Sequence, residues 1–198
     1  MPLRRLGGVS LVAHAARALQ ASGILDSLTV LAPPDAVGAV RAALAAFPDA
    51  VVLAGGSRHQ SLHIGLAAVG EEVVLVHDAC RPLAPPELAV RAVEAVRAGA
   101  DLAVPVLEMT ETVKELDAAG WITRTVPRET LVRVQAPCAA RREVLAAAHR
   151  GCPATDENSW LTGAGIRAVA VDGHDDAFAV VQDADLDLAA AVLAGRGH

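Results

Sequence analysis

Along the chain, apolar positions switch between two periodicities, and the switches divide it into short strands and longer helices. Residues 9–22 (VSLVAHAARALQAS) place Val9, Leu11, Val12, Ala15, Ala16 and Leu19 at helical spacing, with Gly23 as a stop signal. LTVLAP at 28–33 is a short apolar run rich in strand formers, and a helical pattern follows through DAVGAVRAALAAF. AVVLAG at 50–55 predicts the next strand, HQSLHIGLAAVG a helix, and EEVVLVHDA at 71–79 another strand. The segment 85–99 opens with Pro85 and Pro86 in first-turn positions and closes on Gly99, which marks both ends of a helix. DLAVPVLE at 101–108 returns to strand.

Residues 108–125 (EMTETVKELDAAGWITRT) break this rhythm, mixing polar and β-branched residues about an Asp117–Gly120 turn as a projecting hairpin does. Beyond it the pattern predicts a strand at 131–135, a helix at about 139–149, a short helix near 156–163, a strand at 166–171 and a final helix over 183–195. Strands alternating with helices of this length imply βαβ units, hence an α/β fold with a mostly parallel sheet covered by helices on both faces. Continuously apolar strands such as VVLVH and LAVPV agree, because a strand covered on both faces need not alternate. With no internal repeat or linker, residues 1–198 read as one domain carrying a protruding β-arm at about 108–125.

Composition narrows the function classes. The 198 residues are 53% apolar and 20% charged with a net charge of −6, so the chain can bury a full core and is not disordered. That negative balance, without any Lys/Arg-rich stretch, argues against nucleic acid as a partner. No apolar run reaches the roughly 18 residues of a membrane span. Every basic residue but Lys114 is Arg, so any phosphate chemistry rests on Arg or on that one Lys. Cys80, Cys138 and Cys152 are odd in number and lack CxxC spacing, which disfavours disulfides or structural zinc and points to a cytoplasmic protein. Arg4-Arg5 before LGGVSLVAHAARAL mimics a twin-arginine signal, but His14 and Arg17 interrupt its apolar stretch.

In parallel α/β sheets, ligands bind beyond the carboxyl ends of the strands, so the loops there come first. AGGSRHQS at 54–61 leaves a strand and opens a helix. Gly55 and Gly56 permit close backbone approach, Arg58 supplies a charge, and Ser61 can cap the helix. The same loop also reads as an ordinary strand-to-helix turn. HDACRP at 77–82 sets His77, Asp78 and Arg81 within five residues at the end of the most apolar strand. Asp78 suits a metal or a sugar hydroxyl and Arg81 a phosphate, against the alternative of a salt bridge with Asp78 capping a turn. Cys80 has no base beside it and reads as inert packing. His59 and His63 lie four apart on a helix without a carboxylate or Cys ligand, and read as an exposed face rather than a metal site. His174, Asp175 and Asp176 in DGHDDAF read as a polar turn.

Taken in order, these segments resemble the 2-C-methyl-D-erythritol 4-phosphate cytidylyltransferases, also called 4-diphosphocytidyl-2-C-methyl-D-erythritol synthases. The matching residues are Gly55-Gly56 with Arg58 and Ser61, HDACRP at 77–82, ETVK at 111–114, Arg128 before Leu131, QAPC at 135–138 and Thr155-Asp156. The resemblance implies a Rossmann-like nucleotidyltransferase fold and transfer of CMP from CTP to 2-C-methyl-D-erythritol 4-phosphate with release of pyrophosphate, in isoprenoid precursor synthesis by the non-mevalonate route. It further implies Mg²⁺, a cytidine site at Gly55, Gly56, Arg58 and Ser61, and an acceptor site at Asp78, Arg81, Thr112, Lys114 and Arg128. Asp78 and Arg128 take the catalytic roles. The arm is implied to cross to a partner subunit in a homodimer.

The chain departs from the family pattern at three places. It begins at MPLRRLGG, where the family has already passed a strand and Gly-rich loop of the form AAGxGxR. The expectation is either a start upstream of Met1 or a rearranged or partner strand in the vacated place. Ala179 stands where the family has a substrate-positioning Lys, a loss worth on the order of 10²–10³ in rate. QAPC replaces Q-T-P-Q, and the glycine loop is one residue shorter before its Arg. Two further readings therefore stay open. One is a catalytically impaired or inactive paralogue that binds a nucleotide or pairs with an active homologue. The other is a nucleotidyltransferase for a different sugar or polyol phosphate.

Overall fold

The computed structural model describes residues 2–151 and 166–196. A small hairpin opens the chain, β1 (Arg5–Leu6) and β2 (Val9–Ser10), whose turn residues Gly7 and Gly8 have φ of +56° and +82°. A two-residue turn with positive φ at both positions is open to glycine at no steric cost, so this pair sets the reversal. Ser10 then caps α1 (Leu11–Ala21), its hydroxyl accepting from the Ala13 amide. The helix expected over 9–22 thus starts later, because Val9 and Ser10 serve as strand and cap.

The alternation read from the sequence follows: β3 (Thr29–Ala32), α2 (Val37–Ala43), β4 (Val51–Ala54), α3 (Arg58–Ala68), β5 (Val73–Val76), α4 (Pro86–Arg97) and β6 (Leu102–Glu108). Pro34–Ala36 forms a separate 3-10 turn ahead of α2, so the expected helix is shorter than its apolar pattern. The predicted arm is a hairpin of β7 (Val113–Leu116) and β8 (Ile122–Val126), turned by Asp117, whose carboxylate accepts from the amides of Ala119 and Trp121. After it come β9 (Val132–Val134), β10 (Cys138–Arg141), α5 (Arg142–Gly151), β11 (Ala168–Asp172) and α6 (Asp183–Gly195). The short helix expected near 156–163 lies outside the described residues, as do Cys152, Thr155, Asp156 and Trp160.

Five strands form the main sheet in the order β11-β6-β10-β5, with β9 on the far end of β6. β11 runs parallel to β6, while β10 is antiparallel to both β5 and β6, so β5, β6 and β11 share one direction. This corrects the expected helix over 139–149: its first residues form β10, and the helix begins at Arg142. Cys138, Ala139 and Ala140 are buried between two strands, and that burial overrides their helical propensity.

β3 and β4 pair in parallel as a second, separate sheet. The core follows this division. Val12, Ala13 and Ala16 of α1 pack on Ala32, Val40, Leu44, Phe47 and Val52 around β3 and β4. Around the main sheet, Leu66 and Leu145 close one face and Ala92, Val93 and Val96 of α4 the other. Leu6, Leu11, Leu83, Val180 and Ala189 tie the N-terminal hairpin to α6.

Candidate active site

The loops after β4 and β5 meet at the carboxyl ends of their strands. Ser57 caps α3, accepting from the Gln60 amide, while the Gln60 side chain accepts from the Ser57 amide. This capping box holds the glycine loop in place and corrects the expectation for Ser61, which lies inside the helix and not at its cap. Ser61 instead packs under the loop: a Cβ at Gly55 would collide with its Oγ, and a Cβ at Gly56 with the Gln60 side chain. At Gly55 the loop's close approach to its own helix leaves no room for a side chain unless Ser61 shifts, whereas at Gly56 the nearest obstacle is the flexible Gln60 side chain.

Asp78 does two jobs. Its Oδ1 accepts from the Cys80 amide at 2.8 Å, and its Oδ2 lies 4.0 Å from the Arg58 guanidinium. The turn-capping and salt-bridge alternatives raised for Asp78 are therefore both present, and the ion pair joins the two loops. Gly56, Arg58, Ser61, His77 and Asp78 line the mouth of one cavity of ≈ 940 Å³.

His77 lies beside the Arg58–Asp78 pair with its ring buried. Its Nε2 bonds the Arg81 carbonyl at 3.2 Å, its Nδ1 is buried without a partner, and burial pushes its pKa down to about 4. It is neutral at pH 7, with Nε2 donating to the Arg81 carbonyl and Nδ1 left as a buried acceptor. Burial also raises the Cys80 thiol, in keeping with an inert role.

Arg81 is partly committed to structure. Its terminal nitrogens donate to the carbonyls of Ala177 and Val134, which pulls the 173–180 loop and β9 against the 77–82 loop. The Val180 amide, bonded to the Cys80 carbonyl at 2.7 Å, adds to the seam. Gln135, only 5% exposed, clamps the same loop: its Nε2 donates to the His174 carbonyl at 2.8 Å and its Oε1 accepts from the His174 amide at 2.9 Å. Gly173 packs so closely on Gln135 and the Val106 carbonyl that no side chain fits. Sequence reasoning met Gln135 only as a motif letter, because its partner lies 39 residues away. Ala179 sits in this clamped loop, between Phe178 and the buried Val180.

The remaining predicted residues stand apart from the cavity. Lys114 on β7 donates to Thr125 Oγ1 across the hairpin at 2.7 Å. Thr112 precedes β7, and Arg128, just after β8, donates to the Thr110 carbonyl at 2.8 Å and so braces the hairpin's base. None of the three lines the cavity. Among the described residues no group of three or more His, Cys, Asp or Glu could hold a metal by itself. The single carboxylate of Asp78 fits a Mg²⁺ carried chiefly by substrate phosphates, the usual arrangement for that ion.

A glycine loop and an Arg–Asp pair meeting at the carboxyl ends of parallel strands place the candidate site where α/β proteins bind their ligands. Comparison with known proteins sharpens this. The family model "2-C-methyl-D-erythritol 4-phosphate cytidylyltransferase" matches residues 2–195. The enzyme of that name from Streptomyces avermitilis is 40% identical over 210 residues, covering 98% of this chain and 84% of the relative. Its counterpart from Frankia casuarinae is 41% identical, covering 97% and 73%. The crystal structure of the Thermus thermophilus cytidylyltransferase superposes with a TM-score of 0.82 at 29% identity, covering 98% and 93%. The chain belongs to the 2-C-methyl-D-erythritol 4-phosphate cytidylyltransferase family.

Proposed function

We propose that this chain transfers CMP from CTP to 2-C-methyl-D-erythritol 4-phosphate. The acceptor's phosphate oxygen bonds to the α-phosphorus of CTP, the α–β anhydride bond breaks, and pyrophosphate leaves. Beyond family membership, the observation that carries this reading is the 4.0 Å pairing of Arg58 with Asp78, which sets a phosphate-compatible loop against a carboxylate at one cavity mouth. Gly55, Gly56, Arg58 and Ser61 bind the nucleotide. Asp78 would hold Mg²⁺ together with the triphosphate, and the ion would supply neutralisation of charge on the phosphates. Catalysis of this kind is mostly positioning, so the Gln135 clamp and the capping box act by fixing the two loops.

Arg81, Thr112, Lys114 and Arg128 are assigned to the acceptor. The last three lie on or beside the hairpin and away from the cavity, which supports a homodimer whose arms reach the partner's site. The hairpin tip favours burial of that kind, since Leu116, Trp121 and Ile122 are 58, 74 and 66% exposed. The paralogue reading rests on Ala179, and one assay decides between the two. Pyrophosphate release is measured with CTP, Mg²⁺ and 2-C-methyl-D-erythritol 4-phosphate, for the chain and for Asp78→Ala. Release that requires the acceptor and falls at least about 100-fold in the variant supports transfer. CTP binding by calorimetry without release overturns it in favour of a non-catalytic binder.

A further inference from the structure

Three of the chain's seven histidines meet where α5 lies against α3. His59 and His63 are one turn apart on the same face of α3, and His149 comes from the last turn of α5. The ring centroids of His59 and His149 are 3.8 Å apart with planes inclined by 30°, and those of His63 and His149 are 6.3 Å apart at 23°. His149 is 3% exposed, His59 is half-buried and His63 is exposed, so the helix face read as solvated is in part an interface. Neither ring nitrogen of His149 has a hydrogen-bond partner among the described residues. Rings this close to parallel aim their nitrogens sideways and not at a common point, in keeping with the lack of a metal-holding group among those residues.

A buried imidazole without partners is stable only while neutral, because its charged form loses hydration and gains nothing in exchange. The elements packed on α5 offer no compensating charge. From α3 come Arg58, His59 and His63, from β10 come Cys138 and Arg141, and α5 itself carries Arg142, Glu143 and Arg150. Of these, only His59 and His63 act on the protonation of His149. Burial is the largest cause that holds its pKa below 6.5, and charge on His59 comes next. The His59 backbone pulls the other way, and charge on His63 adds to the lowering. No carboxylate takes part among the described residues, so each further proton in the cluster meets only like charge. Neutral rings rest on one another without electrostatic cost, and imidazolium rings at the same distance repel.

We propose that His59, His63 and His149 form an acid-sensitive latch, closed while His149 is neutral and open at the last turn of α5 once it is protonated. Opening is confined to that turn, because Leu145, one turn earlier, is buried with Leu66 of α3 in the core. A cleft of ≈ 410 Å³ beside α3, lined by Gly56, His59, Gln60, His63 and Ile64, gives the two α3 rings room to swing away. His149 ionises near 6.5 when the latch is open and lower when it is closed, so protons favour the open form as pH falls below 6.5. One such group shifts the balance by at most about 10-fold at one pH unit below its open-state value. In sequence His59 lies between Arg58 and Ser61, in the part of α3 that carries the candidate nucleotide site. The latch therefore couples acidity to that site. The coupling rests on the function proposed above, whereas the latch rests on packing alone.

The test is amide hydrogen exchange of the 198-residue chain near pH 7.5 and near pH 5.5, corrected for the intrinsic rate, together with NMR titration of the histidine rings. In wild type, the amides of residues 147–150 lose about 3- to 10-fold in protection at the lower pH, and that of Leu145 changes less than about 2-fold. The His149 ring titrates below 6.5. His149→Phe keeps a buried ring that takes no proton, so the same amides change less than about 2-fold. Should that variant not fold, the wild-type exchange and ring titration decide by themselves. A His149 ring that titrates at or above 6.5, wild-type protection that changes less than about 2-fold, or a Phe variant as acid-sensitive as wild type overturns the latch. So does a shift of the three ring signals with one equivalent of Zn²⁺ near pH 7.5, which would make the cluster a metal site. Calorimetry with CTP reads the coupling: between the two pH values wild type loses at least about 3-fold more affinity than His149→Phe. Equal losses in both proteins overturn the coupling. Absence of CTP binding at both pH values overturns the nucleotide site instead, and the exchange data still decide the latch.

Discussion

Replacing Gln135 by Ala tests how the 173–180 loop is held against the site. Gln135 is 5% exposed and makes two hydrogen bonds to the His174 backbone, at 2.8 and 2.9 Å. Two such bonds contribute about 1–3 kcal/mol net, and the part-buried His174 amide and carbonyl lose their partners in the variant. The truncated side chain also leaves a small cavity beside Gly173. The sum is a destabilisation of about 2–4 kcal/mol, or about 5–15 °C in Tm for a chain of this length. Urea or thermal unfolding of Gln135→Ala and Gln135→Glu measures it. Glu keeps the acceptor for the His174 amide but turns a buried carboxylate oxygen against the His174 carbonyl, so at neutral pH it costs at least as much as Ala. A loss below about 1 kcal/mol in Gln135→Ala would refute the clamp.

Other outcomes follow from the same geometry. Ser57→Ala breaks the capping box of α3 and costs about 0.5–2 kcal/mol by denaturant unfolding, with a larger relative loss in CTP affinity than in fold stability. The folded chain keeps His77 neutral to about pH 4 while the unfolded chain takes its proton near 6.5, so this group's contribution is complete above pH 6.5 and is lost as pH falls towards 4. It amounts to at most about 3 kcal/mol, read as the difference in pH dependence of unfolding between wild type and His77→Gln. Trp121→Ser with Ile122→Thr leaves the unfolding midpoint within about 0.5 kcal/mol, since both are exposed, and, if the proposed homodimer forms through the hairpin, shifts its sedimentation profile to that of a monomer.

The α/β alternation was legible because it is local. Each strand from β3 to β6 carries its own apolar run, and each helix its own period and stop signals. The arm was legible too, since Asp117 and Gly120 mark its turn within the segment. What failed was non-local. Residues 138–141 look helical by themselves, and only insertion between β5 and β6 makes them a strand. The glycine loop was found at the right place, but the cap was assigned to Ser61 when Ser57 and Gln60 share it. Gln135 and His77 owe their importance to partners and burial that no local pattern encodes.

The proposed reaction makes a cytidine diphosphate ester. Phosphorus NMR of the 198-residue chain with CTP, Mg²⁺ and 2-C-methyl-D-erythritol 4-phosphate tests it most directly. The acceptor's phosphomonoester signal is expected to give way to a pair of coupled diphosphate resonances, matched mole for mole by free pyrophosphate. An unchanged acceptor signal after prolonged incubation, or inorganic phosphate in place of pyrophosphate, would contradict it.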